Sequence, residues 1–366
     1  MKADVAIIGG GITGLAAGAS LLKAGKSVVI VDDATRKSAS WINAGTVALQ
    51  NKISAIHEIC LAAIHEWDAL NKELNGELHY VRDGGYRVAV NEEQLHDLEA
   101  RRDELLQLGI SCDLLSRPMI EAKLPWFSDR VRFASYCPYD GFASPLRARL
   151  ALLSRYQRLG GSRVLSSLTG VEFRAGRYHL TFRDTDAIQA DKVIIAAGAW
   201  SSEVARFFGA EIETNLKVNI LSVTERVAQF MSGTITTHAA GRFTLKQFPN
   251  GSCILGGGYS GIGDLTTNTA DIDLAQLQMN LRAQCDIVPS LKSMLLVRTW
   301  AGFSETAFSN RPALDFLDTE ARVWIVLTGD IGFTLGPLFG RMAANAVCKG
   351  TPPFFLPIEL ANKVPK

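Results

Sequence analysis

The sequence lacks the patterns that would announce a metal centre, a disulfide scaffold or a nucleic-acid surface. Its six cysteines (Cys60, Cys112, Cys137, Cys253, Cys285 and Cys348) are scattered without any CxxC spacing. That speaks against a zinc ribbon, an iron–sulfur cluster or a disulfide framework, and it fits a reducing cytoplasm. The six histidines are equally dispersed; His57 and His65 share one helical segment and read as surface or packing residues rather than ligands, so no metal is expected. Charge of one sign is also missing. Lys plus Arg is 38 against 37 for Asp plus Glu, which leaves no basic field for nucleic acid. No stretch is long and uncharged enough to span a bilayer. The apolar start could pass for a secretory leader, but it carries Asp4 and has no small-residue cleavage site. There is no internal repeat and no low-complexity tract. At 366 residues, 47% hydrophobic and 20% charged, the chain reads as a globular enzyme able to bury a large core in two domains.

What the sequence does have is glycine at telling places. Val5-Ala6-Ile7-Ile8 is an apolar run suited to a strand buried on both faces. Gly9, Gly11 and Gly14 follow as GxGxxG, with Ile12 and Thr13 between the last two. The first glycine allows a tight turn and the second lets the backbone approach a pyrophosphate. The third lets the following helix pack on the strand. That helix runs to Lys23, its amino-terminal amides facing the phosphates. A second buried strand, Ser27 to Val31, stops at Asp32 and Asp33, where a carboxylate reaches ribose hydroxyls. An arginine there would have suggested a 2′-phosphate. The pattern is a dinucleotide clamp.

Further on, Ile53 to Leu74 and Glu92 to Leu108 read as helices, and Arg163 to Asp184 as a hairpin turning at Ala175-Gly176. Ala190 to Trp200 contains a second fully apolar strand. The next hundred residues alternate like an antiparallel sheet with an Asn250-Gly251 turn, interrupted by a helix at Asp273 to Cys285. The end is strand, glycine loop and helix, with Pro337 at a plausible first helical position. Nucleotide-type βα elements therefore occur at the start, middle and end. This predicts an α/β fold: a discontinuous Rossmann-type nucleotide domain over 1–80, 140–207 and 296–366, with an inserted mixed or antiparallel β-sheet substrate domain over 81–139 and 208–295. An NAD-dependent dehydrogenase usually keeps its nucleotide half contiguous. The layout suits FAD better.

Five stretches in register resemble the D-amino-acid-oxidase superfamily of FAD enzymes, on the branch of glycine oxidase, sarcosine oxidase and the flavin β-subunits of opine and hydroxyproline dehydrogenases. They are GGGITG with Asp32, SWINAG (Ser40 to Gly45), DGFASPLRARL (Asp140 to Leu150), VIIAAGAWS (Val193 to Ser201), and RTWAG together with GDIGFTLGP (Gly329 to Pro337). The resemblance implies that Gly9, Gly11, Ile12, Thr13 and Gly14 hold the pyrophosphate, and Asp32 and Asp33 the adenosine ribose. It implies that the Val164 backbone touches the adenine, that Ser40, Asn43, Ala44 and Gly45 line the flavin ring, and that Ala197, Gly198 and Trp200 pack beside the nucleotide. Gly332, Phe333, Thr334 and Leu335 would supply amides near flavin N1 and O2, where two-electron reduction places negative charge. No covalent flavin anchor is recognisable, so the FAD is expected to be non-covalent.

The implied reaction oxidises a C–N bond of an amino acid or secondary amine by hydride transfer to flavin, and the imine then hydrolyses. Such a site needs alignment and dryness more than a strong acid or base. The resemblance implies that Lys246, Trp300, Gly302 and Glu305 lie on strands facing the flavin from the inserted domain, as the catalytic-site residues. The family's pattern is broken after WAG, however. The arginine that grips a substrate carboxylate falls near Ser304, and a later aspartate is replaced around Asn310-Arg311. A histidine often found near the terminal Gly-Gly gives way to Asp330-Ile331. A carboxylate grip must then come from Arg298, Arg311, Arg242 or Lys246. Arg242, Thr244 and Lys246 share one strand face, lining a cavity or facing solvent. Glu305 either receives a cationic group or pairs with Arg311 as a structural residue. Two readings follow: an amine or amino-acid oxidoreductase, alone or as the flavin subunit of a complex, or a non-catalytic FAD-binding subunit with a degenerate pocket.

Overall fold

The opening apolar run folds as the strand Lys2–Ile8, and everything else in the first sheet is laid out around it. The computed structural model describes residues 1–238, 243–307, 311–350 and 360–362. Lys2–Ile8 pairs in parallel with Ile188–Ile195 on one side and with Val28–Val31 on the other. Ser162–Val164 extends the sheet beyond Val28–Val31, and Val323–Leu327 extends it beyond Ile188–Ile195, both in parallel. Ala313–Phe316 closes the edge antiparallel. The hairpin Leu168–Arg174 and Arg177–Phe182 joins through Ile188–Ile195, and it turns at Ala175 and Gly176, both at positive φ. Val28–Val31 is buried at every position, as an all-apolar strand covered on both faces must be. Strands from the beginning, middle and end of the chain are thus neighbours.

The second sheet runs, in spatial order, Leu296–Ala307, Thr214–Arg226, Ser252–Gly256, Thr244–Gln247, Thr234–His238, Gly85–Ala89, Phe133–Cys137 and Asp113–Leu115. Only the pair Thr234–His238 and Gly85–Ala89 is parallel, so the sheet is mixed. Two details depart from the sequence reading. That reading groups residues 296–307 with the nucleotide part, yet Leu296–Ala307 pairs along its length with Thr214–Arg226. Its alternating pattern places it in a sheet, and long-range pairing decides which one. The last helix, moreover, spans Gly332–Lys349, so Pro337 lies inside it rather than at its first position. A turn of 3₁₀ helix at Gly329–Ile331 precedes it, and the helix opens at Gly332. Pro337 has no N–H to give the Phe333 carbonyl.

Close approach fixes how the first helix (Ile12–Lys23) and the last one lie together. A Cβ on Gly340 would overlap the Thr13 carbonyl, and one on Gly336 would come within 2.7 Å of Ile12. On another side of the first helix, a Cβ on Gly18 would come within 2.7 Å of the Tyr156 ring. Glycine at these positions lets helix backbones approach more closely than any side chain permits.

Candidate FAD and amine site

The turn after the first strand is built of backbone that no side chain could share. Gly9 sits at φ +116°, and a Cβ there would overlap the carbonyl of Ala196. A Cβ on Gly14 would overlap the carbonyl of Gly9; this is the close helix–strand packing expected of the third glycine. Gly11 stands at the N-cap of the first helix and gives no side-chain cap. The first-turn amides therefore point outward largely unused, apart from Ile12 N–H, which donates to Ser40 Oγ at 3.2 Å.

Beside this turn the Asp32 carboxylate accepts from Gly10 N–H at 3.1 Å. It is also ion-paired with Arg149 at 3.0 Å and Arg163 at 2.5 Å. Arg149 in turn lies over the Trp41 ring, 4.1 Å from its centroid. Asp33 accepts from Thr35, Arg36 and Ser167. Burial pushes its carboxyl up, but the hydrogen bonds from Ser167 and Thr35 outweigh it and hold the group at about 2. Arg36 spans from Asp33 to Glu203 and covers the Trp200 ring at 4.9 Å.

A cavity of about 540 Å³ starts at this turn, within the size range of small-molecule and cofactor sites. Gly9, Gly11, Ile12 and Thr13 line it with Asp32 and Asp33. Ser40, Asn43, Ala44 and Gly45 form another stretch of wall, Ala197, Gly198 and Trp200 a third, and Gly332, Phe333 and Thr334 a fourth. Gly14, Val164 and Leu335 stand behind the wall instead. Val164 offers its carbonyl to Asp32 N–H at 3.0 Å, and Ser166 and Ser167 line the cavity near it. The loop before Gly45 is held by Asn43, whose amide donates to Ala39 O and whose Oδ1 accepts from Gly45 N–H at 2.7 Å. Thr334 ties the last helix to the same loop by donating to Thr46 O at 3.1 Å. Trp67, packed on Phe333 with centroids 4.9 Å apart, donates to Thr334 O at 2.9 Å.

The other end of the cavity is made of side chains. Ser304 accepts from Asn219 Nδ2 and donates to Asp330 Oδ1, both at 2.8 Å; Asp330 is also paired with Lys217 at 2.5 Å. An acidic network thus occupies the place where the resemblance implied an arginine. Glu305, on the opposite strand face, accepts from Ser202 Oγ at 3.0 Å, beside the start of the helix Ser201–Arg206. Burial pushes its carboxyl up to about 7, against hydrogen bonds from Thr214 and Ser202. Its Oε2 is buried without a partner among the described residues.

Gly302 and Trp300 bear on the loop rather than on the cavity. A Cβ on Gly302 would come within 2.7 Å of Ile42 and 3.0 Å of the Lys37 carbonyl. The Trp300 indole donates to Ile42 O at 3.2 Å. Lys246 is fully buried behind the wall and donates to Thr46 Oγ1; burial, with Lys52 nearby, lowers its ammonium to about 7. The strand face carrying Thr244 and Lys246 is therefore buried rather than solvated. Arg298 and Arg311 are exposed and outside the lining, and Arg242 and Asn310 lie outside the described residues. Two cations reach the cavity among the described residues: Arg36, which is paired with Asp33 and Glu203, and Lys52, which motif reading passes over.

The backbone cradle at Gly9 to Gly14, open helix amides and a cavity running on to the last helix suit the pyrophosphate and ring system of FAD. Similarity to known proteins points the same way. The chain is 24% identical over 366 residues to the beta subunit of sarcosine oxidase from Rhizobium meliloti, covering 95% of this chain and 85% of that one. It is 22% identical to a subunit of opine oxidase from Agrobacterium tumefaciens, covering 95% and 94%. The fold matches the crystal structure of glycine oxidase from Geobacillus kaustophilus with a TM-score of 0.84 at 18% identity, over 97% of this chain and 96% of that one. Residues 4–346 match the DAO family, FAD dependent oxidoreductase, and the chain belongs to that family of FAD-dependent enzymes.

Proposed function

We propose that this chain oxidises the C–N bond of an amino acid or secondary amine, acting as the flavin subunit of a heteromeric oxidase or dehydrogenase. The observation that carries this reading is the continuation of the cavity past the nucleotide cradle. Beyond the cradle its lining includes Ile42, Leu221 and Phe243 with a few polar groups, Asn219, Thr244 and Thr46. FAD, when bound, supplies the two-electron acceptor. The protein supplies the rest. Amides in the first turn of Gly332–Lys349 present the positive end of a helix, which favours negative charge beside them. The apolar wall keeps water from the reacting carbon, and hydrolysis of the imine follows once water reaches it. The C–H bond loses hydride, the N–H loses a proton, and no strong acid or base is needed. Two relatives named as subunits, of a sarcosine oxidase and an opine oxidase, support both the substrate class and the assembly.

The test is anaerobic mixing of FAD-loaded protein with glycine, sarcosine, proline and larger N-substituted amino acids, followed by admission of air. Larger secondary amines are expected to bleach the flavin, and glycine and sarcosine only weakly, because the smallest substrates offer no further group for Asn219, Ser304 or Asp330 to hold. Rapid bleaching by glycine alone would contradict the expected preference. Bleaching by none of them would leave a flavin-binding subunit without its own turnover.

A further inference from the structure

The cavity wall holds a buried cation whose charge nothing nearby has claimed. Lys52 follows a turn in which its amide donates to Leu49 O at 2.9 Å. Its own carbonyl is clamped twice, by His57 Nε2 at 3.1 Å and Arg101 Nη1 at 2.9 Å. The residue is 8% exposed, lines the cavity, and its ammonium has neither a hydrogen-bond acceptor nor an ion pair among the described residues.

The charged groups around it do not fill that role. Asp140 is fully buried and spends Oδ1 on the Leu49 amide at 2.7 Å, while its Oδ2 has no partner among the described residues. Asp330 attracts Lys52 only at a distance and is already held by Lys217 and Ser304. Lys246, on the strand Thr244–Gln247, adds a repelling charge from behind. Burial pushes the Lys52 ammonium down, opposed by Cys60, Asp140 and Asp330. A buried ammonium facing a cavity without a counter-ion is an arrangement that an entering anion completes.

We infer that Lys52 receives the carboxylate of the substrate, with Thr46 and Lys246 forming the wall behind it. The inference rests on the proposed C–N oxidation and names the residue that selects its substrates. It also assigns orientation. The carboxylate goes to the Lys52 side, and the remainder of the molecule extends toward Asn219, Ser304 and Asp330, where a cationic or hydrogen-bonding group is accepted and a second carboxylate is repelled.

Benzoate and its neutral counterpart benzamide test this without turnover. Each is titrated into FAD-loaded protein and followed by the visible flavin spectrum and by calorimetry. Wild type is expected to bind benzoate and to bind benzamide at least tenfold more weakly. Lys52→Met should lose benzoate affinity at least tenfold while keeping its FAD content and flavin absorption, and Lys52→Arg should restore it to within a few-fold. No benzoate binding by wild type, or equal binding by FAD-loaded Lys52→Met, overturns the inference. The two readings fail separately. Benzoate binding that depends on Lys52, with no amine bleaching the flavin, sinks the proposed reaction and keeps the carboxylate seat. Bleaching by an amino acid with unchanged KM in Lys52→Met sinks the seat and keeps the reaction.

Discussion

Beside the first helix the cavity wall is backbone, and beside Lys52 it is side chain. At the first end, a Cβ on Gly9 would overlap the Ala196 carbonyl and one on Gly11 would crowd Ser40 Oγ, and the groups presented are amides fixed by the turn. At the second end, Lys52, Asn219, Ser304 and Asp330 come from separate segments of the chain. The backbone end can hold one kind of group, a phosphate, and tolerates little change. The side-chain end can be rewritten residue by residue without altering the fold. This difference lets one scaffold keep its cofactor while the side chains at the other end vary.

Variants can break or sharpen that contrast. The largest effect is expected at the backbone end. Gly9→Ala forces a side chain against the Ala196 carbonyl at a φ of +116°, and flavin content, read as the visible-to-ultraviolet absorbance ratio, should fall at least tenfold.

Next comes Lys246→Met. The folded ammonium is lowered from 10.5 to about 7 by burial, so between these pH values the unfolded chain binds more protons and wild-type stability rises with pH. Below about pH 7 the full penalty applies, on the order of 5 kcal/mol. The methionine variant should be more stable there and lack the rise, as urea unfolding at pH 6 and pH 9 would show.

Glu305→Gln works in the opposite sense. The folded carboxyl is raised from 4.5 to about 7, so wild type loses stability as pH climbs through that window, by on the order of 3 kcal/mol. The glutamine variant keeps an acceptor for Ser202 and should unfold with a flatter pH profile; an unchanged profile would place the titration elsewhere. The smallest effect belongs to Lys217→Met. Lys217 and Asp330 are 48% and 38% exposed at their side chains, and such pairs contribute about 0–1 kcal/mol. A shift in unfolding midpoint beyond that would mean the pair holds the Ser304 network in place.

The same contrast decides what can be read from sequence alone. The glycine turn, Asp32 and the loop at Ser40 to Gly45 are local patterns, and each lines the cavity. The sequence puts the start of the last helix at Pro337 because proline favours a first helical turn, whereas the 3₁₀ turn at Gly329–Ile331 opens the helix earlier. Glu305 and Gly302 stand out in the sequence, but only the tertiary structure shows that one receives the Ser202 hydroxyl and the other makes room for Ile42. Lys52 gives no signal at all. In sequence it is one polar residue in a short polar link before a helix, and a solvated lysine looks the same. Its burial depends on contacts from Arg101 and His57 and on the proximity of Lys246, which only the tertiary structure supplies.

The packing of Gly336 and Gly340 against Ile12 and Thr13 has a consequence for the order of events in the cell. The glycine turn at Gly9 to Gly14 is synthesised long before the helix Gly332–Lys349 that packs against the helix following it. At about 5–20 residues per second, roughly 20–70 s separate the two. Throughout that interval the first helix carries an uncovered apolar face, and the central strand lacks Ile188–Ile195 for much of it. A chain cut before residue 332 would therefore keep the glycine turn and lose the helix that packs against Ile12 and Thr13.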